Sequence, residues 1–435
     1  MIFLNSLASL YRGYLAQWYL FRLLKEGAVA LYRLFVFLRS RVRQIEQSGY
    51  YKFQSMTGLP DTAVVKRLRL TEGRKTLIPA PDFSGFGADL ARKKNGPITI
   101  SEPALELLEL PESIVVGGVD FIFSKGKAIH HDMFEPASHQ CPGQNVGVTT
   151  FDRERLGLRL NLTQRAVHLK SGISLIGQCS QNYAHWLTET LPKLAMVDTC
   201  IHYADFALLV DDGLHPNIYE SLELLNNSKR RVIKVSRWSA VTVENLVCLS
   251  SPGYERYVPQ GLSARAIAPY VNRFSSFALG LLRERAREAT FGLDASSDSR
   301  AFYFARSRHS KNVRQIANSD EIEALLKVRN ISLCASDTLS FVEQIHTCQA
   351  TDVLIAPIGA VLANMIFCRP GSRIIVLSPY YHEASYYYYS NLAGVLGHQL
   401  HYVLGAQEGV RRHPQHRNYT IEAAVLGQLL CSSDC

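Results

Sequence analysis

Three stretches of this chain bring together residue types that do chemistry. The first is Gln181-Asn-Tyr-Ala-His-Trp-Leu-Thr-Glu-Thr-Leu-Pro-Lys193. Asn182, His185, Trp186 and Glu189 stand at i, i+3, i+4 and i+7, the spacing of one helical face. An indole can stack on a pyranose ring, an amide and an imidazole bond its hydroxyls, and either Glu189 or His185 is suited to take a hydroxyl proton. The same types also serve as a helix cap at Asn182, a core-edge Trp186 and solvated polar groups, so this block alone leaves both roles open. The second stretch, Phe304-Ala-Arg-Ser-Arg-His-Ser-Lys-Asn-Val-Arg314, holds four cations: Arg306, Arg308, Lys311 and Arg314. They follow an expected strand, and arginine binds a diphosphate through two parallel donors. Asn318 with Glu321 reads as the start of the next helix.

The third stretch is Ile355-Ala-Pro-Ile-Gly-Ala-Val-Leu-Ala-Asn364, continued by Phe367-Cys-Arg-Pro-Gly371. Val353–Ala356 reads as a buried strand, Val361–Phe367 as a helix stopped by Pro370-Gly371, and Arg373–Leu377 as the next strand. Gly359 and Ala360 at the turn let a ligand approach the backbone, and the first N–H groups of the helix lack internal partners. A nucleotide phosphate suits that place. Gly177-Gln-Cys-Ser-Gln181 resembles a nucleophile elbow without its second glycine, which makes a hydrolase a weak rival. There is no D-x-D triplet and no Cys/His spacing for zinc, so no metal site and no cofactor beyond the substrate is expected.

The elements that must position these groups alternate as strand and helix. From about residue 165 the expected strands are 172–176, 206–210, 231–235 and 246–249, with helices at 182–196 and 218–225 and a long one at about 263–289. A polar break at 294–299 precedes a second series: strand 301–305, helix 320–328, strand 331–334, helix 339–350, then the third stretch. Two such series imply two doubly wound, Rossmann-like α/β domains facing a central cleft. The expected division is a helical segment 1–46, an α/β domain 47–293 and an α/β domain 294–435. Gly85-Phe-Gly87 lacks a third glycine and a preceding strand and is read as a loop. Ser113–Ser124 reads as a strand pair about Gly117-Gly118, and the adjacent His130 and His131 would point to opposite faces.

At 435 residues, 47% apolar and 20% charged, the chain has the composition of a globular protein with more than one core. Its net charge is +9, of which about +5 lies in residues 1–46, where seven basic side chains face Glu26 and Glu46 amid Leu, Tyr, Phe and Trp18. No run there reaches the roughly 18 apolar residues of a membrane span, and no secretory signal is apparent. Mixed aromatic and basic residues suit an anionic membrane surface. The basic run after residue 304 has no aromatic platform beside it, so nucleic acid is not expected as a partner. Nine scattered cysteines without a C-x-x-C pair point to reduced thiols in a cytoplasmic compartment, where the four N-x-S/T sequons carry no meaning. The expected location is therefore cytoplasmic, at the inner face of the cell membrane. The sequence leaves the oligomeric state open.

Taken in order, three blocks resemble the family 61 glycosyltransferases: Asn182-Tyr-Ala-His185-Trp186-Leu-x-Glu189-x-Leu-Pro192; Arg306-x-Arg308 with Arg314 and Asn318; and Glu343-Gln344 leading to Gly359-Ala360-x-Leu-x-Asn364-x-x-Phe367-x-x-Pro370-Gly371. They span residues 180–380. The resemblance implies a GT-B-like fold and inverting transfer of a sugar from a nucleotide diphosphate sugar to a saccharide acceptor, in cell-surface polysaccharide or glycolipid synthesis. The basic N-terminus suits a lipid-linked acceptor. By the same resemblance Glu189 or His185 would be the base, and Arg306, Arg308, Arg314, Gly359, Ala360 and Asn364 would hold the donor. Asn182, Trp186, Glu343 and Gln344 would contact substrate. Where the family usually has His or a small polar residue before the Gly-Ala pair, this chain has Ile358, which leaves backbone N–H groups and arginines to hold the diphosphate. An inert saccharide- or partner-binding protein on the same fold, or a nucleotide-sugar epimerase, are the alternatives.

Overall fold

The structure is a computed structural model and describes residues 27–28, 30–32, 34–35, 37–38, 47–130, 148–152, 154–254, 272–292, 299–306, 314–409 and 414–431. The chain forms two compact units. One comprises Leu31–Thr76 and Ile100–Ala289, and the other contains Leu77–Thr99 and Thr290–Cys435. The late division between the units falls at Ala289/Thr290. The expected continuous first domain is interrupted, because Leu77–Thr99 belongs to the other unit. The reason is local: Asp82–Gly85 is a strand that pairs in parallel with His401–Leu404. Gly85-Phe-Gly87 therefore does follow a strand, against expectation. Gly85 has φ +83°, and a β-carbon there would collide with the Leu404 carbonyl, so the tight pairing requires glycine.

The unit containing residues 290–435 is an α/β layer around a seven-stranded sheet of described strands. From residue 301 onward its first five strands are Ala301–Ala305, Ser332–Ala335, Val353–Pro357, Arg373–Pro379 and Gln399–Glu408, and all pair in parallel. Across the sheet their order is 2-1-3-4-5. In doubly wound sheets of this order, ligands bind beyond the carboxyl ends of strands one and three, where the winding reverses. Ile355, Ile375, Leu377 and Val403 lie fully buried among these strands, which explains their nearly unbroken apolar runs: a parallel sheet is covered on both faces.

The other unit carries an eleven-stranded mixed sheet of described strands. Val167–Ser174 pairs in parallel with Ala207–Asp211 and with Ala240–Leu249, and the last of these pairs antiparallel with Leu105–Val116. The expected pair about Gly117-Gly118 is present, with Ser113 opposite Ser124. The long helix expected at about 263–289 starts only at Ser276 and runs to Ala289: Arg273–Phe274 is instead a short strand paired antiparallel with Gly253–Tyr254, and 263–271 lie outside the described residues. Among the N-terminal residues, 27, 28, 30–32, 34, 35, 37 and 38 are helical. Leu31, Leu34, Phe35 and Leu38 are each more than half exposed there, while the Tyr32 ring lies 5.4 Å from that of Trp238. Among the described residues no helix is long and apolar enough to cross a membrane. Among the described residues no two cysteines form a disulfide.

Candidate functional site

The helix after Val167–Ser174 starts at Asn182, whose side-chain oxygen accepts the Ala184 N–H at 3.0 Å. It does not run on as a regular α-helix. Trp186–Thr190 forms a π turn closed by Leu191 N–H on the Trp186 carbonyl, and α geometry resumes at Leu191–Val197. Pro192 has no N–H to give the Thr188 carbonyl, so an extra residue is accommodated at little further loss. Single π turns in α-helices are frequent at functional sites. Here the turn carries Glu189, whose Oε1 lies 2.8 Å from His185 Nδ1, and both side chains keep a minor part of their surface exposed. In such a pair the carboxylate orients the imidazole, an arrangement able to accept a proton.

Two residues of the same block have other work. Trp186 is fully buried, and its indole N–H donates to Ser221 Oγ at 2.8 Å. Successive helical residues sit about 100° apart, so the residue after His185 turns inward; Trp186 is core and offers no face to a sugar. Asn182 acts as the helix cap. The suspected nucleophile elbow is structural too. Asp211 accepts Gly118 N–H at 2.6 Å, Gly177 N–H at 3.0 Å and the Ser180 hydroxyl at 2.6 Å, which clamps both loops.

Sequence reasoning missed Asp120. It follows the Gly117-Gly118 turn, and its Oδ1 accepts the Gln178 N–H at 2.7 Å. The residue keeps an open surface, yet crowding by protein atoms, with Glu189 and Asp211 nearby, pushes its pKa up to about 6 against the opposing pull of Gln178 N–H and Lys193. Crowding likewise lowers the pKa of Lys193, against the fields of Asp120, Glu189 and Cys248. A lone aspartate far earlier in the chain than the helix gives no sequence signal. Only the sheet brings it there.

In the other unit, Arg306 ends the first strand and Gly359 follows the third. Arg306 Nη2 donates to the Ile358 carbonyl and Nη1 to the Arg314 carbonyl, each at 2.7 Å. The two strands at the winding reversal are thus tied by one guanidinium, whose pKa burial pushes below the usual arginine value. A β-carbon on Gly359 would come 2.5 Å from Arg306 Nη2, so glycine is needed for that approach. The Gly359 carbonyl is held by the Tyr389 hydroxyl at 2.6 Å and by Leu362 N–H. The N–H groups of Gly359, Ala360 and Val361 have no hydrogen-bond partner among the described residues. Three consecutive bare N–H groups form a nest for an anion. The helix expected at Val361–Phe367 is a 3₁₀ helix over Ala360–Phe367.

Arg314 stands beside them with φ +74°, a left-handed backbone rare for arginine, and its buried Nε has no partner among the described residues. Arg308 and Lys311 lie outside the described residues. Three residues expected to contact substrate have structural partners. Asn364 is fully buried and donates to Gln344 Oε1 at 2.7 Å, while Gln344 Nε2 donates to the Leu339 carbonyl at 3.1 Å. Glu343 closes a capping box with Ser340 at the start of Phe341–Ala350. An amide pair inside the core and a cap at a helix start need no substrate. Asn318 spans Glu321 and Ile421 as a structural link. Among the described residues no three His, Cys, Asp or Glu side chains gather as metal ligands.

A bare-amide nest with cations at a sheet edge, and an oriented proton acceptor on a helix, are the equipment of a group-transfer enzyme; comparison with known proteins makes it a glycosyltransferase. Residues 183–375 match the family described as Glycosyltransferase 61. Among solved structures it is similar to the dodecameric iron-containing heptosyltransferase TibC, solved in complex with ADP-D-beta-D-heptose. That likeness has 11% identity, 77% coverage of this chain, 79% of the other and a TM-score of 0.24, too low to carry an argument. No curated protein matches.

Proposed function

We propose that the protein is an inverting glycosyltransferase that moves a sugar from a nucleotide diphosphate sugar to a saccharide acceptor, in cell-surface polysaccharide or glycolipid synthesis. The observation that carries the donor half is the run of bare N–H groups at Gly359–Val361, set beside Arg306 and Arg314 where the sheet winding reverses. These groups would stabilise the leaving diphosphate without a metal. In the reaction, the acceptor hydroxyl oxygen bonds to the anomeric carbon as the carbon–oxygen bond to the diphosphate breaks. The diphosphate keeps that electron pair, and the hydroxyl proton passes to His185, whose positive charge Glu189 stabilises. The two units are read as the acceptor-side and donor-side halves of a GT-B-like enzyme.

Thermal-shift measurements against a panel of nucleoside diphosphates and their sugars test this. At a hundred times its Kd one of them should stabilise the protein by about 2.7 kcal/mol, raising Tm by several degrees. No shift from any member removes the donor reading. A shift without slow release of nucleoside diphosphate from any sugar nucleotide favours an inert binding protein.

The exposed Leu31, Leu34, Phe35 and Leu38, with the basic residues of segment 1–46, support attachment to an anionic membrane surface. The full chain should sediment with phosphatidylserine vesicles at low salt and release at high salt, and a chain lacking residues 1–46 should stay in solution. Equal sedimentation of both forms rules out that segment as the anchor.

A further inference from the structure

Beside the His185–Glu189 pair stand two charges that the proposed reaction leaves unused. Gln178 N–H supplies the one hydrogen bond to the Asp120 carboxylate among the described residues. A β-carbon on Gly177 would lie 3.4 Å from Asp120 Oδ1 and 3.7 Å from Thr190 Oγ1, which sets the carboxylate against the π turn carrying Glu189. Lys193, four residues beyond Glu189, is half-buried and has no hydrogen bond or ion pair among the described residues. Yet Asp120 and Lys193 act on each other electrostatically, and Glu189 acts on both. An acid and an ammonium thus face one region without closing on each other.

We infer that Asp120 and Lys193 clamp the acceptor by two neighbouring hydroxyls, Asp120 accepting from one and Lys193 donating to the other. This rests on the transferase reading and specifies its acceptor as a neutral polyhydroxylated sugar. A carboxylate only accepts, an ammonium only donates, and a hydroxyl does both, so a vicinal diol satisfies the two together. A simple anion would meet Asp120 and Glu189, and a simple cation would meet Lys193. Crowding by protein atoms raises the Asp120 pKa and lowers that of Lys193, while both side chains keep surface open to a ligand whose hydroxyls can bond them. The groups bearing on Asp120 are Lys193, Glu189, Asp211 and the Gln178 amide; those on Lys193 are Asp120, Glu189 and Cys248.

Saturation-transfer NMR of the full chain with methyl glycosides of glucose, galactose and mannose, and with methyl glucuronide, tests the clamp. At pH 7.5 at least one neutral glycoside should bind the wild type, and Asp120→Asn and Lys193→Met should each weaken it at least tenfold. Binding should also fade as the pH drops through about 6, where Asp120 takes up a proton. Asparagine keeps an oxygen for the Gln178 N–H and methionine keeps most of the lysine stem, so at least one variant should melt near the wild type and serve. No glycoside bound by the wild type, undiminished binding in a folded variant, or preference for the glucuronide overturns the clamp. Nucleotide thermal shifts on the same samples separate the two failures: shifts without glycoside binding sink the clamp alone, and absent shifts sink the transferase reading.

Discussion

Arg314→Gly is expected to lose nucleoside diphosphate affinity while holding or gaining thermal stability. The arginine occupies φ +74°, a conformation that disfavours a residue with a β-carbon by about 1–2 kcal/mol. Its buried Nε is unpartnered among the described residues, a further penalty of about 1–3 kcal/mol. Glycine relieves both, and its looser unfolded state returns about 0.5–1 kcal/mol. The ligand-free variant should therefore melt no lower than the wild type. A charged hydrogen bond to diphosphate contributes about 1.5–3 kcal/mol, so affinity should fall at least tenfold. Calorimetric titration with the stabilising nucleotide measures one quantity and a melting curve the other. Unchanged affinity would show that Arg314 faces no phosphate. A large drop in Tm would show that the arginine is part of the framework, as Arg306 already is through its bonds to Ile358 and Arg314.

His185→Ala and Glu189→Gln should lower sugar transfer by about 10²–10⁴-fold, the usual contribution of a positioned acid–base group. The alanine variant should lose more, because it removes the proton acceptor; glutamine still reaches Nδ1 but cannot stabilise the imidazolium as a carboxylate does. Nucleotide affinity should stay within twofold in both, since the nest lies on the other unit. Turnover measured at saturating donor, together with calorimetric Kd values, checks both halves. Near-wild-type turnover in both variants removes the pair from the chemistry. A matching loss of nucleotide affinity would assign it to donor binding.

Much of the architecture is legible because a parallel sheet is covered on both faces. Val353–Pro357 and Arg373–Pro379 must then be continuously apolar, and such runs stand out in the chain. Gly359 was legible because only a small residue at a strand-to-helix turn admits a close neighbour. The structure shows that neighbour to be Arg306. Less legible were the polar residues. Glu343, Gln344, Asn364 and Asn182 have the side chains of substrate-binding groups, but a cap, a buried amide pair and a ligand contact use the same hydrogen-bonding types. The exposed Asn182 and Glu343 are marked by the helix starts they cap, whereas burial, a property of the fold, singles out Gln344 and Asn364. Trp186 failed for the same reason.

The order of apolar runs, turn glycines and charged blocks thus determined by itself that this chain builds alternating strand–helix units, with cations after the strand at 301–305 and an acid–base spacing at His185 and Glu189. Those are short-range facts, set by side chains a few residues apart. Tertiary structure alone decided that Asp82–Gly85 joins the later sheet, that Arg306 reaches Ile358, and that Asp120 stands against the helix of Glu189. Each joins residues far apart in the chain through strand pairing and packing, and no local spacing encodes such contacts.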